Sequence, residues 1–152
     1  LNPKYWCFRL GFIGFHLNYK FVKAIGNAQI PFWERFYLGG ERSIRGYDVY
    51  SIGPRSEQGF NIGGEKSIVF NAEYVIPIGG PLYAVLFHDI GNAYASNQKV
   101  NFKNMYSSTG LEIRVSISAL SIPVSLIFAY NNRKIHPDDS NIAFRFAVGT
   151  TL

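Results

Sequence analysis

Cysteine occurs once, at Cys7, so the chain forms no internal disulfide and no cysteine-rich metal centre. A lone cysteine in a strand pattern reads as a small, half-buried residue rather than a nucleophile. Charge is also sparse. Asp, Glu, Lys and Arg make up 16% of the residues, where soluble domains usually carry about a quarter. The formal net charge is +5, yet Lys and Arg are scattered rather than run together, which argues against nucleic acid as a partner. No apolar run reaches the about 18 residues of a membrane helix, and no signal peptide opens the chain. His16, His88 and His136 lie far apart in pattern, and no Ser, His and Asp set converges on a motif. The expectation is a protein that is not an enzyme and has no cofactor and no metal.

Aromatic surface is what the chain has in quantity, with thirteen Phe, ten Tyr and two Trp. That suits strands that bury apolar side chains on more than one side. Alternation with a period of two recurs along the sequence. From Tyr5 to Tyr19, Trp6, Phe8, Leu10 and Phe12 fall on one face and Cys7, Arg9 and Gly11 on the other. Between Lys66 and Ile76, the set Ile68, Phe70, Ala72, Tyr74 and Ile76 opposes Ser67, Asn71 and Glu73. Leu82 to Tyr94 sets Leu82, Ala84, Leu86 and Ile90 against Phe87 and Asp89, with His88 misplaced on the apolar side. Three more such runs follow, around Leu111, Leu126 and Phe146.

Six strands are expected, joined by short turns at Pro77–Pro81 and Ser121–Pro123 and by long polar loops elsewhere. Short turns at one end and long loops at the other is the arrangement of outer-membrane barrels. A soluble β-sandwich shares the alternation. The polar face separates the two. Glu73, Asp89, Glu112, Arg114 and Arg145 sit mid-strand among small residues, which suits a wet interior. Serines between Tyr106 and Ser121 read as small interior or turn residues. A closed membrane barrel needs about eight strands or more, and Leu1 falls in mid-pattern. Residues 1–152 are therefore expected to be the C-terminal part of one all-β, antiparallel transmembrane barrel domain.

The longest connection, residues 20–64, carries the segment Leu38-Gly39-Gly40-Glu41-Arg42-Ser43-Ile44-Arg45-Gly46-Tyr47. Gly39-Gly40 breaks any regular element, and Gly46 permits positive φ or close backbone approach beside Arg45. A guanidinium on a tight turn is a rigid fork of five donors, suited to a confined site lined with carboxylates. Gly64-Glu65-Lys66-Ser67 is no phosphate loop, because the upstream glycine spacing is missing and a strand follows.

This segment resembles the hallmark loop of the BamA-type outer-membrane assembly factors, which carry a Val/Ile-Arg-Gly-Phe/Tyr tetrad. Ile44, Arg45, Gly46 and Tyr47 match it. Phe87-His88-Asp89-Ile90-Gly91 resembles the family's Phe-x-Asp-x-Gly strand, and Phe144 to Leu152 its closing strand. The resemblance implies a loop folded back into the barrel, with Arg45 docked against Phe87 and Asp89 and against Glu73 one strand earlier. It also implies a seam at Phe144, Phe146, Val148, Gly149 and Leu152 that opens sideways to template a client strand. Its implied partners are unfolded outer-membrane protein clients, accessory assembly lipoproteins and outer-membrane lipid, in the bacterial outer membrane. The family usually ends in an aromatic residue, where this chain has Leu152. A secretion transporter of the same superfamily is the nearest alternative.

Symmetric pairing about Gly79 would set Glu73 opposite Val85, about 13 Å along the strand from Asp89 at roughly 3.3 Å per residue. Arg45 would then bond one of the two well. Asp89 is preferred, with Phe87 under the guanidinium plane. On that pairing, exchanging the charges of Arg45 and Asp89 should recover part of what each single change loses.

Overall fold

A computed structural model of the chain describes residues 11–26, 28–117 and 122–149. It is all-β. Strands β1 (Phe12–Phe21), β2 (Lys66–Gly79), β3 (Leu82–Tyr94), β4 (Tyr106–Ile117), β5 (Ile122–Asn131) and β6 (Ile142–Val148) form one sheet. Each pairs antiparallel with its neighbour in sequence, so the sheet is a six-stranded meander with β1 and β6 at its edges. The expected residues Tyr5 to Leu10, Cys7 among them, lie outside the described residues, as do Ser121 and Leu152.

One face of the sheet is apolar and exposed along every strand. Phe15 and Leu17 on β1, Leu86 on β3, Phe128 on β5 and Phe144 and Phe146 on β6 all point outward. Such a surface is stable against hydrocarbon and costly in water. Among the described residues there is one sheet and no second sheet packed on that face, an arrangement that does not favour the soluble-sandwich alternative. In β1 the outward series is Ile13, Phe15, Leu17, Tyr19 and Phe21. Phe12 was expected on one apolar face with Trp6, Phe8 and Leu10, but its pairing with the buried Val75 puts it on the inward side with Gly14 and His16, although its own side chain is exposed. His88 does face outward, and its Nδ1 lies 2.7 Å from Thr109 Oγ1, so the two polar groups satisfy each other on the apolar wall.

The inward face is covered by the chain between β1 and β2. This segment has one 3-10 turn, Phe32–Glu34, and is otherwise held by isolated bridges such as Phe36 with Gly64 and Leu38 with Ile52. Its Leu38, Ile44, Tyr47 and Ile52 pack with Val69 and Ala93 of the wall into one buried cluster. A loop that would expose these side chains elsewhere thus provides the inner face with a core of its own.

The β2–β3 hairpin is irregular between Pro77 and Gly79. Proline has no N–H for the ladder, so pairing slips there, as at a β-bulge. Below that irregularity the ladder is centred on Gly80 rather than Gly79, with Pro77 opposite Tyr83, Glu73 opposite Phe87 and Asn71 opposite Asp89. The symmetric register, with Glu73 opposite Val85, is therefore wrong by two residues, and the along-strand offset between Glu73 and Asp89 falls to about 7 Å.

An arginine on the outward face tests this orientation. Leu86 is half exposed and mid-strand. In a lipid-embedded barrel, Leu86→Arg in the full-length protein should cost about 2–4 kcal/mol, whereas an exposed substitution in a water-soluble domain stays within about 0.5 kcal/mol. Denaturant midpoints in lipid vesicles distinguish the two, and a change below about 0.5 kcal/mol would place this face in water.

Candidate functional site

Phe87 marks the centre of the site. Its ring points inward from β3, with Glu73 of β2 on one side and Gly110 of β4 on the other. A Cβ at Gly110 would come within 2.7 Å of the Phe87 ring, so glycine there leaves the ring its space. The Arg45 guanidinium lies over that ring, its central carbon 4.0 Å from the centroid.

Carboxylates approach Arg45 from three strands. Asp89 takes a paired contact, with Nε donating to Oδ2 at 2.8 Å and Nη2 to Oδ1 at 2.7 Å, and the Arg45 backbone N–H adds a third bond at 3.0 Å. Nη1 donates to Glu73 Oε1 at 2.5 Å and to Glu112 Oε2 at 2.9 Å. Planar, two-point geometry of this kind is what a guanidinium supplies and an ammonium does not. Arg45 is 1% exposed and Asp89 0%. Burial works against the Arg45 charge, but the Asp89 hydrogen bond and the pull of Asp89, Glu73 and Glu112 outweigh it and raise the pKa above its ordinary value.

The network continues around the ring. Arg114 binds both Glu112 and Glu73, Ser125 donates to Glu112 at 2.6 Å, and Asn71 donates to Asp89 at 2.8 Å and to the Ser43 carbonyl at 2.7 Å. The other tetrad residues fix the loop to the remaining strands. Gly46 has φ +95, and a Cβ there would lie 2.4 Å from Asn131 Oδ1 and 2.8 Å from Ser108 Oγ, so only glycine fits against β4 and β5. Its carbonyl accepts from Asn131 Nδ2 at 2.9 Å. Ile44 is fully buried in the loop's core. The Tyr47 hydroxyl donates to the Arg133 carbonyl at 2.8 Å beyond β5, and its ring meets Tyr106 edge-on.

The structure brings Arg45, Glu73, Phe87 and Asp89 together, and Arg45 bonds both carboxylates rather than one. Gly91 is not in the cluster. It pairs with Val69, where a Cβ would strike the Ile68 carbonyl, so it serves close strand approach. Phe144, Phe146 and Val148 face outward on the edge strand. Gly149 follows the last residue of β6 with φ +76 and donates to the Pro123 carbonyl at 2.8 Å, which ends the strand rather than bending it. Sequence reasoning read Glu112 as an interior charge but missed it as a partner, and missed Asn71, Gly110 and Asn131. Only the β3–β4 register, with Val85 opposite Glu112, could have placed Glu112 within reach.

A sequence profile described as the Omp85 superfamily domain matches residues 6–152. The chain belongs to the Omp85 superfamily. Its similarity to Omp85 relatives includes 40% identity over 93 residues with outer membrane protein assembly factor BamA of Nitratidesulfovibrio vulgaris, covering 59% of this chain and 12% of that protein. BamA of Neisseria meningitidis is 32% identical over 158 residues, covering 82% of this chain and 19% of its own length. The human sorting and assembly machinery component 50 homolog is 54% identical over 41 residues, 27% of this chain and 8% of that protein. The crystal structure of Haemophilus ducreyi BamA lacking POTRA domains 1–3 shares the fold, with a TM-score of 0.73 at 20% identity over 92% of this chain and 31% of that one. This chain thus spans a fifth or less of the full-length relatives it matches.

Two predictions follow from the geometry. Arg45→Ala in the full-length protein leaves Asp89 without a cationic partner among the described residues and Glu73 and Glu112 with Arg114 alone, and removing one member of a buried charge pair costs about 3–5 kcal/mol. Protease cleavage of the loop should rise sharply, with Arg45→Lys intermediate. The charge exchange expected from a lone Arg45–Asp89 pair should give no recovery, because Asp at position 45 would face Glu73 and Glu112. Rescue by that exchange would show that Asp89 alone carries the contact.

The second concerns Tyr47, whose pKa burial pushes up to about 12 although the bond from Arg133 works the other way. The ordinary value is about 10, so over the interval between them the unfolded state has lost the proton and the folded state retains it. Docking is then weakened as pH rises from about 10 to about 12. Loop protection in wild type should fall across that window, and Tyr47→Phe should remove that pH dependence. An equal fall in Tyr47→Phe would place the titration elsewhere.

Proposed function

We propose that this chain is the C-terminal part of an outer-membrane β-barrel that assembles and inserts other barrel proteins. The reading rests on one observation above others. The Ile44–Tyr47 tetrad is docked on the inner wall of a sheet whose outer face is apolar. The names of the BamA and sorting-and-assembly relatives point the same way. The secretion-transporter alternative has no observation in its favour. The compartment is the bacterial outer membrane.

The mechanism follows from backbone chemistry. An unpaired strand edge in hydrocarbon leaves N–H and C=O groups without partners, each at a cost of several kcal/mol. A client strand that adds to β6 satisfies them, so the edge acts as a template. Phe144, Phe146 and Val148 keep the outer side of that edge in lipid while the backbone is offered to the client. The docked loop holds the wall in register during the exchange. No covalent step is assigned, and the protein is read as non-enzymatic. Accessory lipoproteins are further partners on this reading.

Locking the edge tests the proposal. A disulfide from a cysteine at Val148 to the facing strand of the full-length barrel should stop client insertion while the protein stays folded, with reductant restoring activity. Full insertion with the edge locked would overturn the seam mechanism.

A further inference from the structure

Arg145 lies on the inward side of β6 and reaches across to the loop. Its Nη2 donates to the Gly46 carbonyl at 3.1 Å and to Asp48 Oδ1 at 2.7 Å. Among the described residues, these are the hydrogen bonds that join the loop to β6. Two charged contacts thus join the loop to the wall at separate places. Arg45 gathers β2, β3 and β4, while the Gly46 carbonyl and Asp48 hold β6 through Arg145.

The two contacts differ in kind. Arg45 and Asp89 are shut away from water, whereas the Asp48 side chain is 82% exposed and that of Arg145 21%. Arg145 Nε is buried with no partner among the described residues, so the fork is only half used. An ion pair with one solvated partner shifts an equilibrium by at most about fivefold and weakens with salt. A contact of that strength is poor at stabilising a fold. It is suited to being broken and remade while the rest of the loop stays docked.

We infer that Arg145 is a positioning residue that latches the edge strand to the docked loop, and that its release frees β6 without undocking Arg45. The inference rests on the seam reading given above for its functional meaning, but not for its existence. On this account salt and any partner that engages Asp48 loosen β6 first. The edge then becomes available before the register of β2 to β4 is disturbed.

Hydrogen exchange on the full-length protein in lipid nanodiscs tests the latch, followed by mass spectrometry of peptides covering 142–148 and 38–47. Arg145→Gln should speed exchange in β6 by about two- to fivefold and leave the loop peptide unchanged. Wild-type β6 should exchange faster as salt is raised, and Arg145→Gln should lose that dependence. Asp48→Asn, a surface change, should also lose the salt dependence with a smaller acceleration, since the Gly46 bond remains. Arg145→Lys should recover part of the protection. Unchanged β6 exchange in both Arg145→Gln and Asp48→Asn would overturn the latch. So would equal acceleration of the loop and β6, which would make Arg145 part of loop docking instead. Faster β6 exchange with an unchanged rate of client assembly would leave the latch standing and overturn the seam reading of function.

Discussion

A guanidinium withdrawn from water is tolerable only where its donors are met by charge and its flat faces by something polarisable. Arg45 has both, with Asp89, Glu73 and Glu112 at its edge and Phe87 beneath it. Every other feature near it can be read as a condition for that contact. A β2–β3 register centred on Gly80 brings Glu73 beside Phe87. Gly110 leaves the ring its space, and Gly46 lets the loop backbone lie against β4 and β5. Ser125 and Asn71 take up lone pairs that Arg45 leaves on Glu112 and Asp89. Three carboxylates face two guanidiniums, Arg45 and Arg114. The strands therefore hold more negative charge than they neutralise until the loop is in place.

The sheet explains why the chain needs such a loop. With hydrocarbon outside, the outward face gains nothing from a second protein layer and stays bare of one. The inner face cannot be apolar in the same way, because it must accept the Arg45 cluster and its hydrogen bonds. Leu38, Ile44, Tyr47 and Ile52 resolve this by bringing an apolar patch of their own to Val69 and Ala93, just beside the polar one. Fixing a long loop costs conformational entropy for every residue it orders. Burial of that patch and the charge cluster are the terms that offset it.

Much of this was legible in the sequence because strands repeat every two residues. The alternation alone implies six strands and puts Glu73, Asp89, Glu112, Arg114 and Arg145 on one side. Alternation is silent on register. A two-residue slip leaves each side chain on the same face, so the expected distance between Glu73 and Asp89 was wrong although their facing was right. The same silence hid Glu112 as a partner of Arg45. It equally hid the roles of Gly110 and Asn131, which matter only for what lies one strand away. Phe12 failed for a different reason. Apolarity alone does not set a residue's face: pairing with Val75 puts Phe12 on the inward side of the sheet, although its side chain is 62% exposed there.

The wall is therefore unequal in strength from one side to the other. At β2 to β4 the loop is held by a buried pair of the kind whose disruption costs about 3–5 kcal/mol. At β6 it is held by a half-exposed pair of the kind worth about 0–1 kcal/mol. Thermal motion rarely breaks the first and often breaks the second. On the proposed seam mechanism the strand that parts from its neighbours belongs at the weak end of such a gradient, and β6 lies there. If the strengths were reversed, opening the edge would first disturb the buried Asp89 and Glu112, and the loop would have no fixed position from which to close it again.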